Sequence, residues 1–403
     1  MKVITNGICA AKGFKGAGIH CGIRKNRSKK DLALIFSEKK ASAACVYTTN
    51  LVKGAPIYVT QRNVADGFAQ AIICNSGNAN TCNANGQEIA QKMCDLVANE
   101  LKINASDVIV ASTGVIGEPL NIKAIEDNID ILVASLGNDS SSVAHAIMTT
   151  DLVEKEIAVS FEISGVECRL GGVAKGSGMI NPNMATMLVF LTTDVSIEKS
   201  LLQKALLDAT NDTFNMVSVD GDTSTNDMVS ILANGMANNK TITKIDADYQ
   251  TFYNALVYVM KHLSKAIAQD GEGATKLLEC NVVGAPTKEA ARIIAKKVIS
   301  SCLVKAAMFG SDANWGRVLC AIGYSGVDVK INLIDVKFES EKGEILVCQN
   351  GAGVRFDEEN AKSILKEKYV KINISLNQGN FNATAWGCDL TYDYVKINGD
   401  YRS

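Results

Sequence analysis

Lys175-Gly-Ser-Gly-Met-Ile-Asn-Pro-Asn-Met-Ala-Thr-Met-Leu-Val-Phe-Leu191 decides how this chain is read. A glycine-rich turn runs through Asn181-Pro182-Asn183 to the small residue Ala185, and Thr186 then opens an apolar run. That order suits a chain that cuts itself before a threonine. The hydroxyl attacks the preceding carbonyl, the peptide becomes an ester, and water releases a new N-terminus. Thr186 would then carry a hydroxyl nucleophile and a free α-amine on one residue. An α-amine has an ordinary pKa of about 7.7–8.0, so it can take the hydroxyl proton near neutral pH. Scission between Ala185 and Thr186 divides the chain into fragments 1–185 and 186–403. The plainer alternative is a glycine-rich connection whose threonine merely starts a strand. A phosphate loop fits poorly, because Lys175 precedes the glycines whereas that loop needs GxxxxGK[ST].

Around this segment, strand-like apolar runs recur at 31–36, 71–75, 107–111, 156–163, 186–191 and 327–334, and 370–376 alternates with period two. Helical periodicity covers 87–101, 122–136, 196–214, 246–268 and 288–301. Asp139 and Ser196 stand where short polar side chains cap helices. The mixture predicts an α/β or α+β fold with mixed sheets and packed helices rather than a doubly wound parallel sheet. A Gly-Ala-Pro turn within 282–287 marks a candidate subdomain junction.

Bulk composition narrows the function. The 403 residues are 47% hydrophobic and 21% charged with net charge −2, which allows a large core and argues against disorder. The longest basic tract is the short Lys25-Asn-Arg-Ser-Lys-Lys30, which reads as a solvated loop, so nucleic acid is a poor partner. No export signal opens the chain, and no apolar run reaches the ~18 residues of a membrane span, so a cytosolic protein is expected. The twelve cysteines form no CxxC pair and read as reduced, half-buried side chains. Cys74, in Ala-Ile-Ile-Cys, reads as core packing. The three histidines, His20, His145 and His262, have no metal-type spacing, so the base of an enzyme here must come from elsewhere. The processed Thr186 amine is a candidate. Asp220–Asp227 lacks the glycine and glutamate of a calcium loop and reads as polar support instead.

The pattern KGSGMI-x-PNMATML resembles the signature of the ornithine acetyltransferase family. Matching stretches run in order along nearly the whole chain: Asn75–Asn80, Ala111–Gly117, Met148–Asp151, Asp220–Asp227, Asp270–Lys276, Asn314–Arg317 and Ala383–Val395. Departures are Asn181, Ala313 where proline is common, and Ser403 where threonine is common, and none removes a reacting group. The resemblance implies a self-processing, N-terminal-nucleophile-type enzyme. It would move an acetyl group from N2-acetylornithine to glutamate by a ping-pong route through acetyl-Thr186.

The same resemblance assigns roles residue by residue. Thr113 and Gly114, at the end of an apolar run, would hold the oxyanion. Thr150 (with Thr149 not separable from it), Lys175, Thr186, Glu272, Asn398 and Ser403 would bind substrate. Glycines flank Glu272, and its carboxylate suits the δ-ammonium of acetylornithine. No metal or bound cofactor is implied. Some members of the family also take acetyl-CoA as donor, which makes it a candidate co-substrate. Two fragments of each kind would form a heterotetramer. Two alternatives remain: a self-processing aminopeptidase of the same architecture, where water resolves the acyl-enzyme, and a non-catalytic amino-acid-binding protein.

Overall fold

A computed structural model describes residues 1–181 and 187–399. They fall into two compact units. The first holds Met1–Gly176, the described part of 182–211, and Thr223–Leu263; the second holds Ser177–Asn181, Asp212–Asp222 and the described part of 264–403.

The first unit is built on a nine-stranded mixed sheet. Its spine is the long strand Leu32–Tyr47, which pairs antiparallel with Phe14–Ile19, Phe68–Asn78 and Met228–Ala233. Leu188–Thr193 runs parallel to Met228–Ala233, and Val108–Val115 runs parallel to Phe68–Asn78. Strand alternation sends neighbouring side chains to opposite faces. Ile73 and Val110 pack with Ile89, Met93, Cys94 and Val97 of the helix Gly86–Leu101. Ile72 and Phe190 pack with Val143, Ala144 and Ile147 of the helix Ser140–Ile147 on the other side. Asp139 caps that second helix as expected, accepting from the Ser142 N–H at 2.9 Å.

The second unit carries a seven-stranded sheet in which Leu277–Ala285 lies between Tyr369–Ser375, parallel, and Phe381–Cys388, antiparallel. The helix Lys288–Ser300 packs on this sheet, its first turn capped by Thr287. The 282–287 turn joins strand to helix within this unit. The mixed fold class is therefore as the sequence indicated.

Several local expectations need correction. Residues 327–334 form no strand: a single 3-10 turn, Ile331–Leu333, precedes the strand Asp335–Ser340. Side chains take over its backbone partners there. Gln378 accepts from the Lys330 N–H at 2.8 Å, and Asn377 donates to the Leu333 carbonyl at 2.8 Å. The helical run 122–136 splits into Ile122–Glu126 and Ile129–Ala134. Asn128 breaks it by donating from its side chain to the Ala124 carbonyl, in competition with the helical ladder. The helix expected from 196 spans Lys199–Asp212, and Ser196 is no cap: its hydroxyl meets Thr241 at 2.9 Å. The cysteines are more deeply packed than expected, with only Cys82, Cys302 and Cys320 exposed; Cys74 is buried in the core.

Candidate functional site

In the first unit, four segments meet at the end of the parallel strand pair. Val108–Val115 carries Ser112, Thr113 and Gly114. The facing strand carries Asn75, Ser76, Gly77 and Asn78, with Gly77 in register with Gly114 and a bulge at Asn78. Gly114 has φ +136°, and a β-carbon there would collide with the backbone of Gly77 and Asn78. Glycine is therefore required by both conformation and space. Buried amides brace this end. Ser112 donates to Asn75 at 2.6 Å, and Asn226 reaches the carbonyls of Ala79 (2.6 Å) and Ser112 (3.0 Å). The polar support expected of 220–227 is visible in Asn226.

Lys175 closes the strand Val166–Lys175, is only 8% exposed, and donates from Nζ to Thr113 Oγ1 at 3.3 Å. Lys175 is therefore not a solvated surface side chain. A hydroxyl that accepts from an ammonium turns its own proton elsewhere, so Thr113 stays a donor for another oxygen. Behind Lys175 lies Asp151, 4% exposed. Its carboxylate receives the Gly176 N–H at 2.7 Å, the Thr149 N–H at 2.9 Å and Lys155 Nζ at 2.7 Å. Burial pushes this carboxyl up, but the charges of Lys175 and Lys155 and its hydrogen bonds outweigh that and hold it down at about 2. Asp151 is ionised and fixes the turn at Gly176. Thr149 and Thr150 are both half-buried beside it, and the Thr149 backbone, bonded to Asp151, anchors the pair.

In the second unit, Ser177–Asn181 packs against the loop around Glu272. The Glu272 N–H donates to the Ser177 carbonyl at 3.0 Å, and Ser177 Oγ donates to the Asp270 carbonyl at 2.7 Å. The Glu272 carboxylate, in a residue 7% exposed, lies directly over Gly178, where any β-carbon would strike it. Asn398 of the helix Tyr392–Gly399 donates to it at 2.7 Å. Asp220 accepts the N–H groups of Met179 (2.6 Å) and Ile180 (2.8 Å) and the Tyr394 hydroxyl (3.3 Å). Burial raises the Asp220 pKa, countered in part by those N–H donors.

The structure therefore brings Thr113, Gly114, Thr150 and Lys175 together in the first unit, and Glu272 with Asn398 in the second. Ala185, Thr186 and Ser403 lie outside the described residues. Sequence reading missed Asp151 and Lys155 as a buried ion pair. The available signal was their spacing of four residues, beginning at the aspartate that ends the motif Met148–Asp151. Among the described residues, no group of His, Cys, Asp and Glu side chains is placed to hold a metal ion, and no helix is long and apolar enough to cross a membrane.

The chain has four informative likenesses to known proteins. The sequence profile of the ArgJ family matches residues 15–403. The chain is 50% identical over 405 positions to the arginine biosynthesis bifunctional protein ArgJ of Caldanaerobacter subterraneus subsp. tengcongensis, covering 100% of each. It is 49% identical over 406 positions to arginine biosynthesis bifunctional protein ArgJ 1 of Clostridium acetobutylicum, covering 100% of this chain and 99% of that relative. A crystal structure of the arginine biosynthesis bifunctional protein ArgJ from Bacillus halodurans shares 49% identity at TM-score 0.51, over 54% of this chain and 100% of that one.

Proposed function

Because the chain belongs to the ArgJ family, we propose that it is an acyltransferase of arginine biosynthesis that moves the acetyl group of N2-acetyl-L-ornithine to L-glutamate. The chain matures by scission between Ala185 and Thr186. Thr186 Oγ1 then attacks the acetyl carbonyl while its own α-amine takes the hydroxyl proton. The Thr113 hydroxyl and the Gly114 N–H stabilise the oxyanion. The C–N bond breaks, the proton passes to the departing ornithine amine, and acetyl-Thr186 remains. The glutamate amine attacks this ester, and Oγ1 leaves with a proton. Thr150, Lys175, Glu272, Asn398 and Ser403 bind the two amino acids. No metal or bound cofactor takes part. The enzyme works in the cytoplasm as a heterotetramer of two fragments of each kind.

The observation that carries this reading is the Lys175–Thr113 hydrogen bond beside an obligate glycine at 114. It leaves a half-buried hydroxyl proton and a strand-end N–H as donors for one developing charge. Incubation with labelled acetylornithine, acid quench and fragment mass analysis test the proposal: the label belongs on the residue that opens 186–403. Label absent from that residue in an active enzyme overturns it.

Gly114→Ala is expected to lower kcat by about 10²–10³-fold, since the new methyl displaces a donor of the oxyanion pair. Steady-state kinetics alongside a melting curve check this; a lowered Tm with unchanged kcat would assign Gly114 to the fold alone. Glu272→Gln keeps an oxygen for Asn398 but removes the charge. It is expected to raise KM for acetylornithine by roughly 10–100-fold with a smaller change in kcat, because the ammonium loses a charge-assisted partner.

A further inference from the structure

A turn of the second unit grips the chain just ahead of the proposed scission bond. Asp220 receives two consecutive backbone N–H groups, that of Met179 on Oδ2 at 2.6 Å and that of Ile180 on Oδ1 at 2.8 Å. Successive N–H groups that converge on one anion form a concave nest. The residues flanking Asp220 extend the grip. The Val219 N–H donates to the Ile180 carbonyl at 2.6 Å, and Asn181 Nδ2 donates to the Gly221 carbonyl at 2.9 Å. Asp220 is itself fixed by the Asp222 N–H at 3.3 Å and the Tyr394 hydroxyl at 3.3 Å.

The nest depends on Met179, whose φ is +57°. Left-handed backbone of this kind crowds any residue that has a β-carbon. Among the described residues other than glycine at positive φ, Met179 carries the one large apolar side chain, and asparagine and serine fill most of the other places. Packing does not offset the twist, because the Met179 side chain is 43% exposed. Its neighbour Ile180 is buried and anchors the segment. The carboxylate is therefore what holds Met179 in this conformation. Strain persists where the surrounding structure enforces it, and it clusters at working segments. Ala185 and Thr186 follow Asn181 by four and five positions in the sequence.

We propose that Asp220 is a positioning residue for self-scission: by holding Met179 left-handed, it fixes the stem from which the chain enters the bond between Ala185 and Thr186. The proposal rests on the scission reading above. In that step Thr186 Oγ1 forms a C–O bond to the Ala185 carbonyl carbon, the C–N bond breaks, and the hydroxyl proton passes to the freed amine. Water then splits the ester. Asp220 neither gives nor takes a proton here. Fixing the stem removes conformations that keep hydroxyl and carbonyl apart, an effect of proximity and orientation.

Full-length chains made by cell-free translation test this, with scission followed over time by denaturing mass analysis. Asp220→Asn keeps the shape but sets an amide donor against one of the two N–H groups. Scission should slow by about tenfold or more. Met179→Gly removes the β-carbon, and glycine adopts left-handed backbone freely. In that background Asp220→Asn should slow scission by less than about threefold, a coupling between the two sites that general destabilisation does not produce. Met179→Ile leaves the carboxylate in place and adds a β-branch that resists positive φ. It should slow scission as well, and it decides the matter where Asp220→Asn fails to fold. Equal slowing by Asp220→Asn in both backgrounds, or wild-type scission rates in Asp220→Asn or Met179→Ile, overturns the proposal. A wild-type chain that exchanges acetyl groups yet stays uncut would instead overturn the scission reading itself.

Discussion

Thr186→Ala is expected to yield one uncut chain of 403 residues without transferase activity, where the wild type is expected to give fragments 1–185 and 186–403 under denaturing mass analysis. Both effects come from one atom. On the proposed mechanism, Oγ1 converts the preceding peptide to an ester and, after scission, carries the acetyl. Its removal costs on the order of 10⁶-fold in kcat, the scale seen when a covalent nucleophile is deleted. Thr186→Ser separates the two roles, because serine keeps the hydroxyl and the future α-amine. It should still be cut and still exchange acetyl groups, more slowly. An intact wild-type chain with full activity would end the scission claim, and an active alanine variant would end the nucleophile assignment.

The second large effect is expected at Asp151. Its carboxylate and the Lys155 ammonium have no exposed side-chain surface, at 2.7 Å from one another. Asp151→Asn removes the carboxylate charge facing a buried cation, a change that costs about 3–5 kcal/mol. It also loosens the hold on Gly176 and Thr149, so kcat should fall by roughly 10²-fold through misplacement of Lys175 and Thr113. Acid titration gives an independent check. The carboxyl is held at about 2 in the folded protein against an ordinary value of 3.8. Protons therefore bind the unfolded chain first as pH falls. The contribution, about 2 kcal/mol, is complete above pH 4 and fades as the pH drops towards 2. Urea denaturation across that window should show the stability gap between wild type and Asp151→Asn narrowing as the solution becomes more acid. A gap independent of pH would remove the ion pair from the explanation.

The sequence made the strands of the first sheet legible because Leu32–Phe36, Ala71–Asn75 and Val108–Ala111 are apolar runs buried on both faces. Val166–Lys175 escaped notice, since Gly171-Gly172 breaks the apolar signal. The glycines are there because a β-carbon at Gly171 would strike the Gly7 carbonyl, a long-range demand that no local window contains. At 327–334 the periodicity was genuine but side chains of Asn377 and Gln378 claimed the backbone. At the site, Thr113, Gly114, Lys175 and Glu272 were reachable from motif order. The Asp151–Lys155 pair and the glycine cradle at 178 depend on burial and on contacts between distant segments, which spacing alone does not display.

The closing helix Tyr392–Gly399 has no buried residue. What secures it includes Asn398 on Glu272 and Tyr394 on Asp220, two polar clasps where other helices have an apolar seam. Cargo fused behind this helix is expected to tug on Glu272, the carboxylate proposed to select the ammonium group. An affinity handle therefore belongs at the amino end, and a carboxyl-terminal one would report on its own leverage as much as on the enzyme.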